Sequence, residues 1–190
     1  MFGPSQQEWT FQGWNWEAFA AVSLGALVHH PALHAVAMDY FQGALGGVKI
    51  LREQGCRRIA LIVDSSLEAR TGHRWRGGYL AGMEGKGRIY PGNTGDAADL
   101  KQWARAEKID GALTISLFVK KSLHSLPIRW VFLNNLGPDG VSPCLALDPA
   151  WIGSEGVRLL HHLLLRKESG LPTEPKMTTI MGSWKNLPPC

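Results

Sequence analysis

Between residues 39 and 64 the hydrophobic positions follow two different periods in turn. Phe41, Ala44, Leu45, Val48 and Leu51 recur at helical steps, the stripe of an amphipathic helix. Asp39 can cap that helix with Gln42 as the return half of a capping box, and Gly55 supplies the left-handed residue that stops it. After the polar turn Cys56-Arg57-Arg58, the run from Ile59 to Val63 is unbroken, apolar and β-rich, as expected of a strand covered on both faces.

The same cadence continues along the chain. A glycine- and charge-rich loop is predicted over 65–72 and a helix over 73–84. Asp96, with Asp99 behind it, starts another helix running to about Glu107. DGALTIS at 110–116 and RWVFLN at 129–134 predict two more strands, with a short helical piece over 118–125 between them. After the turn-rich 136–143 a strand is expected over 144–147. Asp148-Pro149 then combines a capping acid with proline at the first helical position. Ile152, Gly156, Leu159, Leu160, Leu163 and Leu164 form the buried stripe of that helix, and 177–181 reads as a last strand before a proline-terminated tail. Strands alternating with helices predict an α/β fold with parallel sheets covered on both faces.

Composition narrows the function classes. With 45% hydrophobic and 19% charged residues in 190, the chain is that of a soluble globular protein. No run approaches the roughly 20 apolar residues of a membrane helix, and the opening residues lack the pattern of an export signal. The net charge of +4 is mild and spread along the chain, unlike a nucleic-acid groove. Cys56, Cys144 and Cys190 cannot all pair and show no metal-ligand spacing, which suits reduced thiols in the cytoplasm. Eight tryptophans are many for this length, and the cluster of Trp9, Trp14 and Trp16 has no evident role in the pattern.

Catalytic signatures are missing. There is no G-x-S-x-G elbow and no G-x-x-x-x-G-K-[ST] loop, and the glycines at 43, 46 and 47 lie inside a helix pattern instead of between strand and helix. His161 and His162 point about 100° apart on a helix, so they cannot share one metal, and Pro31 interrupts the spacing of His30 and His34. No cofactor, metal or enzymatic activity is expected.

Against this background the stretch from Asp39 to Leu80 resembles the core of the lactose-repressor (LacI/GalR) family. The parts that carry the likeness are Leu51, Gly55, Arg57, Arg58, Ile59 and the pair Gly78-Tyr79. W-x-x-F-x-x-V-x-L-G at 16–25 precedes them, and DGALTIS, WVFLNN, ALDPAWIGSEGVRLLHHLL and MGSW follow in the family's order. The resemblance implies a type I periplasmic-binding-protein-like sensor of two parallel-sheet α/β lobes. Residues 39–147 and 173–184 would form the C-terminal lobe. Residues 1–38 and 148–172 would form an incomplete N-terminal lobe, and 185–190 a tail. The family's helix-turn-helix headpiece, hinge helix and first strands have no counterpart here, so DNA would be reached only through a headpiece outside this chain.

In open α/β sheets ligands bind beyond the carboxyl ends of the strands, and the family holds its effector there. That places Arg70 and His73 as polar candidates in the first loop. Trp75 stands where the resemblance has a basic residue, and Asn134 where it has an aspartate; an amide can still donate to and accept from hydroxyls. Asp39 and Asp148 sit at the expected lobe crossings, although each is also accounted for as a helix cap. Ser116-Leu117-Phe118 replaces the family's asparagine-aspartate pair. The function implied is sensing of a small effector, of the sugar class, by a homodimeric transcriptional regulator. A solute-binding protein for transport, sharing the fold, is the alternative.

Overall fold

In the computed structural model residues 11, 13–25, 30–135 and 139–187 are described; Trp9 and Cys190 lie outside them. Along the chain come a 3-10 turn at Trp16–Ala18, β1 (Val22–Leu24), β2 (His34–Met38), α1 (Tyr40–Glu53), β3 (Ile59–Ile62), α2 (Ser65–Arg70), α3 (Arg74–Gly82) and β4 (Arg88–Ile89). Then follow α4 (Ala97–Ala106), β5 (Gly111–Thr114), α5 (Leu117–Ser122), β6 (Arg129–Phe132), β7 (Cys144–Ala146), α6 (Pro149–Leu165), β8 (Met177–Ile180) and β9 (Ser183–Lys185). These elements form two compact units, Met1–Asp39 with Asp148–Met181, and Tyr40–Leu147 with Gly182–Cys190.

The second unit is built on a six-stranded sheet in the order β4-β3-β5-β6-β7-β9. Its strands are parallel except β9, which runs antiparallel to β7 with Trp184 opposite Leu145. Period-two alternation sorts the strand residues to opposite faces. Ile59, Leu61, Leu113, Val131 and Leu133 pack with α1 and α3 residues such as Val48, Leu51 and Tyr79. Ala60, Ile62, Ala112, Trp130 and Phe132 pack with Leu100, Val119 and Leu123 from the α4–α5 side. Both faces are therefore covered, and every residue of β3 and β5 is buried.

Helix α1 and helix α3 approach closely because glycine lies at the contact. A Cβ on Gly78 would meet the Phe41 carbonyl oxygen at 2.0 Å. Tyr79 then ties α3 to the sheet. Its hydroxyl accepts from the Arg88 N–H at 2.6 Å and lies 2.9 Å from the Ile59 carbonyl, to which it can donate. Burial pushes its pKa up to about 12.

The first unit has a three-stranded parallel sheet, β1-β2-β8, with α6 packed on it. Asp148 caps α6 by accepting from the Ala150 N–H at 2.9 Å. Along the expected stripe Gly156 and Leu163 are buried and Ile152, Leu159 and Leu160 half-buried, while Leu164 is exposed.

Three expectations need correcting. Residues 65–70 are helix α2, not loop: Asp64 caps them by accepting from the Ser66 and Leu67 N–H groups at 2.9 and 3.3 Å. Strand β8 joins the first unit's sheet, with Ile180 opposite Met38. The chain therefore enters the second unit for the last time at Gly182, not near Pro172. The apolar run announces a strand, but its partner depends on residues about 140 positions away, which no local period encodes. Finally, Lys185 belongs to β9 instead of starting the tail.

Candidate functional site

The carboxyl ends of β3, β5 and β6 open onto three short segments: 63–74, 115–117 and 133–135. The first is shaped by an unusual backbone. His73 takes a left-handed conformation (φ 56°, ψ 27°) between α2 and α3, a conformation uncommon outside glycine, asparagine and aspartate. This corner folds α3 back so that the Arg76 N–H donates to Glu68 Oε1 at 2.8 Å. Thr71, buried, donates its hydroxyl to the Glu68 carbonyl at 2.9 Å, which closes the C-terminal turn of α2.

Glu68 is 7% exposed. Burial raises its pKa, and the bond from Arg76 together with the charges of His73 and Arg76 offsets part of that rise. Its second oxygen, Oε2, has no hydrogen-bond partner. Trp75 is 4% exposed and meets Tyr40 edge-on at 4.9 Å between ring centres, within the core cluster that includes Val63 and Leu133. The Trp75 indole N–H is also unpaired. At the end of β6, Asn134 donates from Nδ2 to the Ile115 carbonyl at 3.4 Å, while its Oδ1 is the third buried atom without a partner. Beside it the Asn135 Nδ2 donates to the Leu147 carbonyl at 3.2 Å.

Among the described residues these are the buried side-chain polar atoms left unpaired. All three belong to segments that follow β3 or β6. Native interiors pair nearly all such groups, and each exception calls for an explanation. An unpaired buried atom costs about 1–3 kcal/mol, and the Trp75 indole carries that cost inside the apolar cluster that holds Val63 and Leu133.

The residues expected from sequence fall into two groups. Arg70, His73, Trp75 and Asn134 belong to the second unit, with Arg70 half-buried in the last turn of α2, His73 exposed, Trp75 buried and Asn134 half-buried. Asp39 and Asp148 belong to the first unit. The Asp39 N–H donates to Ile180 at 2.9 Å, and Asp148 is the exposed cap of α6. Glu68 was not anticipated. Its only trace in the sequence is its place on the face that Leu67 and Thr71 share in a helix, and that face disappears when 65–72 is read as loop.

A separate groove of about 610 Å3 lies between α5 and residues 139–143, lined in part by Trp130, Lys121 and His124. Lys120 there pairs with Asp139 and donates to Ser142 Oγ at 3.0 Å. Asp139 also accepts from the N–H groups of Val141 and Ser142. This network is internally satisfied and pins the 139–143 turn to α5. Among the described residues no group of three or more His, Cys, Asp and Glu side chains could hold a metal, and no helix is long and apolar enough to cross a membrane.

No protein-family profile and no curated protein matches the chain. Solved structures do, LacI-family transcriptional regulators among them. The chain is similar to the transcription regulator CcpA of Lactococcus lactis (TM-score 0.65, 15% identity, 88% of this chain and 68% of that one). It is likewise similar to the Cra dual regulator from Pseudomonas putida in complex with fructose 1-phosphate (TM-score 0.65, 15% identity, 90% and 69%). A LacI-family regulator from Enterococcus faecium with bound ribose superposes with a TM-score of 0.63 at 13% identity, over 86% and 68% of the two chains. The chain thus has the periplasmic-binding-protein-like fold of these regulators and spans about two thirds of their length.

Proposed function

We propose that the chain is the effector-sensing region of a LacI-type transcriptional regulator. In this reading it takes up a small molecule of the sugar class over the carboxyl edge of the larger sheet and performs no chemistry on it. The observation that carries the reading is the set of unpaired buried atoms on Glu68, Trp75 and Asn134. They offer two acceptors and one donor, the mixed complement that hydroxyl groups satisfy. Arg70 and His73 flank the same segment, and Asp39 and Asp148 stand where the chain passes between its two units. Binding acts by stabilising one of two conformations, and the coupling to DNA is the difference in ligand affinity between them. The parent protein works as a homodimer in the cytoplasm, and DNA recognition belongs to a headpiece outside these residues.

The reading is tested by thermal shift with a panel of pentoses, hexoses, disaccharides and sugar phosphates, followed by calorimetry on any hit. A ligand at a hundred times its Kd stabilises the fold by about 2.7 kcal/mol, which is an easily measured rise in Tm. No stabilisation by any member of the panel overturns the sensor reading. A mobility-shift assay at about 0.15 M salt should show only weak binding to DNA without sequence preference, the behaviour of scattered basic groups. Tight, sequence-selective binding by these residues contradicts the assignment.

A further inference from the structure

Strand β7 starts too late to cover the whole edge of β6. Its single rung with β6 joins Cys144 to Phe132, where the Phe132 N–H donates to the Pro143 carbonyl at 2.8 Å. Arg129 and Leu133 donate to Asp110 and Thr114 on the β5 side, at 3.0 and 2.8 Å. Alternation along β6 therefore turns the N–H and C=O of Trp130 the other way, towards residues 141–143. The donor that the parallel register puts opposite the Trp130 carbonyl is residue 143, a proline, which has no N–H. Among the described residues the Trp130 N–H makes no bond to that segment either. Trp130 and residues 141–143 all line the groove of about 610 Å3, so this stretch of open strand edge faces into it.

We propose that this groove docks an extended, acidic peptide segment of another protein, which pairs with Trp130 in the place where β7 is missing. Arg129 and Trp130 are neighbours in β6 and so point to opposite faces of the sheet, yet both line the groove. The groove is thus a gap in the plane of the sheet, open to a strand and not only to a small molecule. The Trp130 N–H and C=O offer one donor and one acceptor to a passing backbone, the pairing by which exposed strand edges take up peptides. Charge selects the partner. The charged groups lining the gap are Lys120, Lys121, Arg129 and Asp139, with His124 as the one titratable neighbour that never carries negative charge. Lys120 is matched by Asp139. Lys121 and Arg129 are exposed and form no ion pair among the described residues. Asp110, at the foot of β6, has its carboxylate turned to the N–H groups of Arg57 and Arg58. Three lasting cations against one lining carboxylate leave the gap basic on both faces. A second copy of this chain would bring the same cations, so a partner of opposite charge is favoured over self-pairing.

The test is calorimetry on the full chain at low salt with three probes. They are acetyl-Val-Glu-Asp-Glu-Val-amide, its counterpart with three lysines in the centre, and the acidic peptide methylated on its three central amide nitrogens. The acidic peptide should bind at least about tenfold more tightly than the basic one. Methylation keeps the charge and removes the strand donors, so it should weaken binding about tenfold, as loss of a backbone hydrogen bond does. The double variant Lys121→Glu with Arg129→Glu changes two exposed side chains and should invert the preference between the acidic and basic peptides. The three peptides on the native chain decide the matter whether or not that variant folds. No binding of the acidic peptide, equal binding of its methylated form, or a preference unmoved in the double variant overturns the proposal. So does citrate binding as tightly as the acidic peptide and displacing it, which would make the groove a small-anion site. None of these outcomes bears on the sensor reading, which concerns the opposite end of β6.

Discussion

The two units follow one architectural rule and enforce it very differently. In the larger unit, all of β3 and β5 is buried and two apolar clusters cover the two faces of the sheet. In the smaller one, β8 buries only Ile180, β1 buries only Ser23, and Trp151, Val157, Leu164 and Leu165 of α6 lie exposed. Parallel strands gain stability by being covered on both faces. The larger unit is thus the rigid frame, and its unpaired polar atoms stand out because everything around them is closed. In the smaller unit burial is concentrated in β2, where Ala35 to Met38 are buried, so an exposed group on β8 or α6 carries less information.

Glycine substitutions give the sharpest test of that contrast. Gly78→Ala drives a Cβ into the Phe41 backbone, which cannot rotate away, and should destabilise the protein by about 3 kcal/mol or more. At Gly156 of α6 the added carbon meets the end of the Leu24 side chain at 2.3 Å. That side chain can turn, so Gly156→Ala should stay within about 1 kcal/mol, helped by alanine's helix propensity. Denaturant midpoints measure both. Equal losses would mean the smaller unit is packed as tightly as the larger.

Leucine truncations probe the same difference through side chains. Leu113→Ala in β5 empties a fully buried site and should cost about 2–5 kcal/mol, whereas Leu159→Ala in α6 removes a half-buried side chain for about 1 kcal/mol. Hydrogen exchange should agree, with slow amides over β3 and β5 and faster ones over β8 and α6. Uniform protection across both units would abolish the distinction.

The smallest effect concerns Glu68. Its folded pKa is raised above the ordinary value of 4.5 by burial, so the folded state holds its proton more tightly than the unfolded chain. The stability linked to that proton is complete below about 4.5 and is lost as pH rises through the folded pKa. At neutral pH Glu68→Gln should therefore stabilise the protein, by about 1 kcal/mol. The advantage should shrink as pH falls towards the ordinary carboxylate range. Thermal melts from pH 4.5 to 8 check the trend, and a constant difference between variant and native would show that the carboxylate is solvated.

Much of the larger unit is legible from sequence because its elements announce themselves locally. The stop at Gly55, which adopts φ 86°, ends α1 as the pattern requires, and the continuous apolar run at 59–63 and the expected strand at 129–134 contain β3 and β6. Helix α2 escapes because six polar-rich residues bounded by Gly72 resemble a loop, even though Asp64 caps it. Strand β2 escapes as well: HAVAM carries two alanines and a histidine and follows Pro31 closely. Trp75 could be singled out through the family resemblance and Asn134 through its place after a strand. Glu68 could not, because burial of a carboxylate is a tertiary fact and its residue type argues for the surface.

The close contact at Gly78 bears on what a bound molecule could move. At Gly78 the backbone of α3 lies against that of Phe41 in α1 with no side chain between them. Trp75 opens α3 and rests on Tyr40, the first residue of α1. A displacement of the indole would therefore meet the first turn of α1 through Tyr40, with the Gly78 contact holding the two helices in register.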